Sequence, residues 1–178
     1  MKRIAILLAA LCCSAAQDLK GIPEHVSYLG PASAVTIAKG KPTPVKLQFR
    51  VASGFHINSN KPNSELLVPT VLSLNPPTDI VIGKISYPAG VDANFAFAPS
   101  ETLNVYAGKF EVTALVTAAK VATPGKYRVH ASLKYQACDN RACYPPKTAP
   151  ADFDITVLKS AASGTGVVRR GQSPNIHN

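Results

Sequence analysis

Apolar and polar residues alternate with a period of two through the middle of the chain, and no segment carries a sustained helical period with caps at both ends. Val45, Leu47, Phe49 and Val51 alternate with Lys46, Gln48, Arg50 and Ala52. Phe110, Val112, Ala114 and Val116 alternate in the same way with Glu111, Thr113, Leu115 and Thr117. Residues i and i+2 share one side of a pleated strand, so such segments bury an apolar face only as strands. The period returns in Tyr127, Val129, Ala131, Leu133 and Tyr135, and again in Phe153, Ile155 and Val157. Shorter candidates lie at 34–38, 66–74, 80–85 and 102–106.

Turn signals punctuate these runs: Lys39-Gly40-Lys41-Pro42, Asn75-Pro76-Pro77, Tyr87-Pro88-Ala89-Gly90, Ala107-Gly108 and Thr123-Pro124-Gly125. About seven or eight short strands spaced in this way predict an all-β fold, an immunoglobulin-like antiparallel β-sandwich, with a small barrel as the competitor. The chain has no Trp, so the core must rest on Phe, Tyr, Leu, Ile and Val. With 178 residues there is room for one domain, expected over 17–158. Residues 17–30 read as a lead-in or a first edge strand, and the small, polar composition of 159–178 reads as a disordered tail.

At the start, Lys2 and Arg3 precede an apolar run from Ile4 to Cys13, followed by Ser14-Ala15-Ala16. This is the pattern of a cleaved export signal, expected over 1–16. The run is shorter than the roughly 20 residues of a membrane-spanning helix, and no other segment approaches that length, so the mature chain is not expected to span a membrane. Leu11 precedes Cys12 and Cys12 precedes Cys13, where lipid attachment would favour a small residue. The formal net charge is +9, and two of the basic residues belong to the leader. The rest stand singly between apolar residues, as on solvated strand faces, which argues against nucleic acid as a partner.

Loss of the leader removes Cys12 and Cys13 and leaves Cys138 and Cys143, in "KYQACDNRACYPPK", residues 134–147. In an oxidising compartment such a pair forms a bond unless something keeps it reduced. If Cys138 ends the strand that contains Tyr127 to Tyr135, then Asp139-Asn140-Arg141-Ala142 becomes a four-residue hairpin loop. The facing cysteines would then have Cα atoms about 4.5–5.5 Å apart, a spacing a disulfide accepts. As a staple the bond would add only about 2 kcal/mol for so small a ring. Tyr144-Pro145-Pro146 cannot continue a central ladder and belongs at an edge. A metal site is the weaker reading, since the cysteines and His25, His56, His130 and His177 show no recognised spacing. On the residues alone, a structural disulfide and a redox couple stand level.

The segment "YQACDNRACYPP" after a strand, with "SGFHINSNKP" upstream, resembles the N-terminal periplasmic domain of the bacterial thiol:disulfide interchange protein DsbD, also grouped as disulfide-bond corrector domains. The likeness covers roughly residues 25–158. It implies an immunoglobulin-like sandwich in the periplasm that needs no cofactor. It also implies a cysteine pair reduced by a thioredoxin-like domain, itself fed by a membrane electron-transfer protein. The pair would then reduce periplasmic thioredoxin-like partners, including a disulfide isomerase and a cytochrome c maturation thioredoxin. By position Cys143 matches the cysteine that forms the mixed disulfide, and Cys138 matches its resolving mate. No segment corresponds to the family's membrane or thioredoxin-like domains, so the reductant is expected from another polypeptide. A non-catalytic envelope-binding module with a permanent Cys138–Cys143 bond is the alternative, and a ligand-binding module built on the cap region is a further one.

The family shields its cysteines with a loop that carries an aromatic residue, and "DANFAFAPSE" lies in the corresponding stretch. Phe95 or Phe97 is the candidate lid; otherwise both rings point into the core. Phe55, His56, Asn58 and Tyr144 are further candidates for lining the site. His56 falls where the family has aromatic residues, and it reads first as a half-buried packing histidine, with a contact to sulfur or help in proton transfer as the rival reading. The loop has four residues between its cysteines where the best-known members have five, and no acidic residue beside Phe95 matches those of the family's cap. Arg141, Lys134 and Lys147 would favour a thiolate, and Asp139 would oppose it.

Overall fold

The alternating segments are strands, and their apolar phase is the buried phase. The computed structural model describes residues 24–159; the expected leader over 1–16, and all but the first residue of the expected tail, lie outside the described residues. Within them the strands run β1 (Val26–Pro31), β2 (Val35–Ile37), β3 (Thr43–Val51), β4 (His56–Asn58), β5 (Val71–Asn75), β6 (Ile80–Ser86) and β7 (Val91–Phe95). They continue as β8 (Ala98–Tyr106), β9 (Lys109–Ala118), β10 (Gly125–Tyr135), β11 (Ala137–Cys138), β12 (Lys147–Pro150) and β13 (Phe153–Val157). No helix occurs among the described residues, and none there is long and apolar enough to cross a membrane.

Two sheets supply the core of a β-sandwich. One has the order β1-β3-β9-β6; in the other, β10 is the hub of β12-β10-β13-β2 and also carries β5. The N-terminal half of β10, Gly125 to Val129, pairs with β13. Its second half, His130 to Lys134, pairs with β5, and Ser132 to Tyr135 pair with β12. The β2–β13 pair is parallel and the other strand pairs are antiparallel. Val45, Leu47, Phe49 and Val51 of β3, and Val112, Ala114 and Val116 of β9, meet Val129, Leu133, Phe153, Ile155 and Val157 in one buried cluster. The strand at 26–31 is an edge strand against β3, and it begins with the buried Val26.

Two expected strands have other limits. The 66–74 candidate is a strand only from Val71; Leu66 stands 93% exposed. Pro69 has no N–H for a ladder, and the Val68 carbonyl accepts from the Asn58 side chain instead. The 102–106 candidate reaches back to Ala98, because β8 pairs with β7 as a hairpin ribbon whose outer residues are exposed and carry no apolar period.

A third, smaller sheet has the order β11-β4-β8-β7, and its Ile57, Tyr106 and Ala137 join the same buried cluster. Its centre is β4, where Ile57 pairs with Ala137 on one side and Tyr106 on the other. Gly90 leads into β7 at a point where a Cβ would overlap the Asn104 side chain and crowd Ser59. Glycine therefore lets the chain lie flat against β8 and sets the base of the β7–β8 hairpin.

Candidate functional site

Cys138 lies on β11 rather than at the end of β10. After Tyr135 the chain leaves β10 at Gln136, and Ala137 and Cys138 pair with Ile57 and His56 of β4. Cys138 and Cys143 form a disulfide with a Cα separation of 3.9 Å, closer than the facing-pair spacing expected from sequence. The loop between them is drawn tight by its own polar groups. The Asp139 N–H donates to the Ala142 carbonyl at 2.9 Å, and the Asp139 carboxylate accepts from the N–H groups of Arg141 at 2.7 Å and Ala142 at 2.9 Å. Its other oxygen accepts from the Tyr144 hydroxyl at 2.8 Å. An Asp at the first loop position folds back on the following amides in this way.

These bonds hold the Asp139 carboxyl below its ordinary range, the Arg141 amide having the largest effect, followed by the Tyr144 hydroxyl and the Ala142 amide. The same contact, together with burial, raises the Tyr144 phenol. On the far side, the Tyr144 N–H donates to the Ala137 carbonyl at 2.8 Å and its carbonyl accepts from Gln136 at 3.2 Å. Pro145 and Pro146 then pass outside any ladder, and the chain rejoins a sheet only at the edge strand β12.

The two sulfurs are not equivalent. Cys138 is 0% exposed, whereas Cys143 is partly exposed. The isolated antiparallel bridge between Cys138 and Cys143 extends the β4–β11 pairing by one step. His56, Cys138 and Cys143 therefore form one cross-strand row, and directly opposed residues of antiparallel strands share a face.

Aromatic rings flank this row on two sides. At the His56 end Phe95 stacks on His56 with ring centroids 3.8 Å apart and planes at 12°. Phe97 lies to the side of both, 5.7 Å from Phe95 and 6.2 Å from His56, with its plane 8° from the imidazole's. Neither phenylalanine belongs to the core cluster; both sit half-buried at the tip of the β7–β8 hairpin. His56 is fully buried rather than half-buried, and its Nε2 has no hydrogen-bond partner. Burial depresses its pKa, with the Asp139 carboxylate opposing.

On the Cys143 side, His25 stacks on Phe55 at 4.2 Å and lies 5.1 Å from the Tyr144 ring. Burial, reinforced by Lys147 and opposed by Asp139, lowers the His25 pKa as well. His25 escaped the sequence reading as a lining residue, because a lone histidine before an edge strand carries no motif; only the fold brings it to Phe55 and Tyr144. Asn58, also fully buried, donates to the Val68 carbonyl at 3.1 Å and to the Gln136 side chain at 3.3 Å. It ties β4 to the segment that leads into β11. The structure thus brings Phe55, His56, Phe95, Phe97 and Tyr144 around the disulfide hairpin, with Asn58 as a brace beneath it. Among the described residues, no three His, Cys, Asp or Glu side chains converge on a metal position.

Compared with known proteins, residues 26–155 match the family described as thiol:disulfide interchange protein DsbD, N-terminal. The chain belongs to this family. The match takes in the whole cysteine hairpin and both aromatic flanks apart from His25. The protein is therefore a domain of the thiol-disulfide interchange class that carries a Cys138–Cys143 disulfide.

Similar solved structures include the reduced DsbD N-terminal domain of Neisseria meningitidis, with 26% identity over 63% of this chain and 75% of that one, TM-score 0.40. Another is the complex between the DsbD and PilB N-terminal domains of Neisseria meningitidis, with 24% identity, 61% and 73% coverage and TM-score 0.41. A third is the N-terminal periplasmic domain of ScsB from Proteus mirabilis, with 15% identity, 72% and 44% coverage and TM-score 0.43. No curated protein matches the chain.

Proposed function

We propose that this chain is an exported, periplasmic thiol-disulfide exchange module that accepts electrons from an upstream dithiol and reduces disulfides of thioredoxin-like partner proteins. Cys143 attacks the partner disulfide and forms the mixed disulfide; Cys138 then resolves it. The observation that carries this reading is the asymmetry of the pair, a fully buried Cys138 bonded to a partly exposed Cys143. A partner sulfur reaches the exposed member, and the buried member is kept for the intramolecular step. The Asp139 bonds also hold the loop without help from the disulfide, so opening the bond leaves the hairpin closed on itself. That property suits a bond that is made and broken, and it makes a staple redundant.

Phe95 and Phe97, side by side at His56, serve as the cap that keeps other thiols away from the sulfurs, while Phe55 and Tyr144 line the opposite wall. The domain occupies 17–158, residues 1–16 act as the export signal, and the reductant comes from a membrane electron-transfer protein by way of a thioredoxin-like carrier.

The test is a redox titration of the mature domain, with alkylation and mass readout, alongside trapping with Cys138→Ala. The reading predicts a pair that titrates between thiol and disulfide against a thioredoxin-like partner, and a stable mixed disulfide at Cys143 in the variant. A pair that stays oxidised against every such reductant, with nothing trapped, would identify the bond as structural.

A further inference from the structure

Resolution of the mixed disulfide creates a chemical problem that the cross-strand row solves. The attacking species must be the Cys138 thiolate, yet Cys138 is 0% exposed. Burial among apolar groups disfavours a thiolate, and bulk hydroxide has no direct access to the proton. A proton acceptor on the same face of the sheet as the sulfur removes this difficulty.

His56 stands directly opposite Cys138 in the β4–β11 register, on the same face. It is 4% exposed, and its Nε2 is buried without a partner. A buried ring nitrogen is ordinarily satisfied; the Nε2 atoms of His25 and His56 both lack a partner, and of the two only His56 is paired with Cys138. The Phe95 ring, stacked at 3.8 Å, fixes the plane of the imidazole.

The surroundings suit a neutral base. The charge that bears on His56 is the Asp139 carboxylate at the start of the cysteine loop. Across β4 from β11, Tyr106 of β8 opposes Ile57 and so lies on the other face. The β7–β8 hairpin presents aromatic rings. Burial lowers the imidazole pKa and so favours the neutral ring, while the Asp139 carboxylate opposes this and favours the protonated form.

Building on the exchange reading above, we propose that His56 is the proton acceptor for Cys138 in the resolving step. The Cys138 thiol gives its proton to His56, and the thiolate attacks Cys143 Sγ of the mixed disulfide. The Cys138–Cys143 bond forms as the Cys143–partner bond breaks, the electron pair leaves on the partner sulfur, and that sulfur takes up the proton from His56. One dithiol is oxidised and one disulfide reduced, with no other reactant.

The experiment uses the reduced mature domain and the aromatic disulfide 5,5′-dithiobis(2-nitrobenzoate), which releases one coloured thiolate when Cys143 attacks and a second when Cys138 resolves. In the wild type, the second-phase rate should level off above the pH at which a histidine loses its proton. Without an internal base it would climb tenfold per pH unit toward the ordinary thiol range near about 8.5. His56→Phe, which keeps an aromatic ring against Phe95, should lower the ratio of second to first rate about 100-fold and restore the climbing profile. A climbing profile in the wild type, which needs no variant to fold, overturns the proposal. So does a ratio within about twofold of wild type in a folded His56→Phe protein. A pair that releases no first equivalent would overturn the exchange reading itself, and this inference with it.

Discussion

The β3–β9 region and the β11-β4-β8-β7 sheet show two ways of building a sheet. β3 and β9 share eight register pairs from Thr43 to Arg50, and their buried residues are apolar. In the small sheet β4 has three residues and β11 has two. The buried polar residues of the described chain, His25, His56, Asn58, Ser59 and Thr70, gather on or beside it. Thr70 caps the Asn58 carbonyl through its hydroxyl, and the Thr70 N–H donates to the Ser59 carbonyl. Burying a polar group is costly unless it is bonded; here Thr70 and Ser59 are bonded, while the Nε2 atoms of His25 and His56 and the Asn58 Oδ1 are buried without a partner. The large sheets supply most of the apolar core, and the small sheet holds Cys138 of the disulfide.

This contrast is broken most forcefully from the core side. Phe49→Ala removes a fully buried ring from β3 and should cost about 3–5 kcal/mol by denaturant unfolding. In the protein that remains folded, the reduction potential of the pair should stay unchanged. On the site side, replacing both cysteines with Ala should cost only about 2 kcal/mol. The amide spectrum of β3, β9 and β10 should be preserved. Asn58→Ala leaves the Val68 carbonyl and the Gln136 side chain without their donor and should cost about 1–2 kcal/mol. It should also loosen β11, read as faster hydrogen exchange at Ala137 and Cys138.

The smallest effect concerns Asp139. Its carboxyl is depressed in the folded chain, so its stabilising bonds are fully present above the ordinary aspartate value near about 3.9 and are lost as pH falls through the lower folded value. The Arg141 and Ala142 amides should lose exchange protection over that acid window, and Asp139→Asn should abolish the pH dependence.

The same contrast explains what was legible in the sequence. Long strands with one buried face write a period of two, so β3, β9, β10 and β13 were readable residue by residue down to Val45, Leu47, Phe49 and Val51. The sandwich followed from them. β4 and β11 are too short to hold a period, and β11 hid behind the expectation that β10 runs on to Cys138. The cysteines and Tyr144 were legible as candidates from the motif, and Phe95 and Phe97 only from the family resemblance, but their arrangement was not. That Phe95 stacks on His56 and His25 on Phe55 depends on register between segments distant in sequence. Position alone favoured a packing role for His56; its place opposite Cys138 was invisible until β4 and β11 were paired.

The central claim is that the two sulfurs have different tasks because the fold buries one and offers the other. Timed alkylation of the fully reduced mature domain by iodoacetamide, with peptide mass readout, tests it most directly. Cys143 should be modified at least about ten times faster than Cys138. Equal rates, or modification of Cys138 first, would contradict the account.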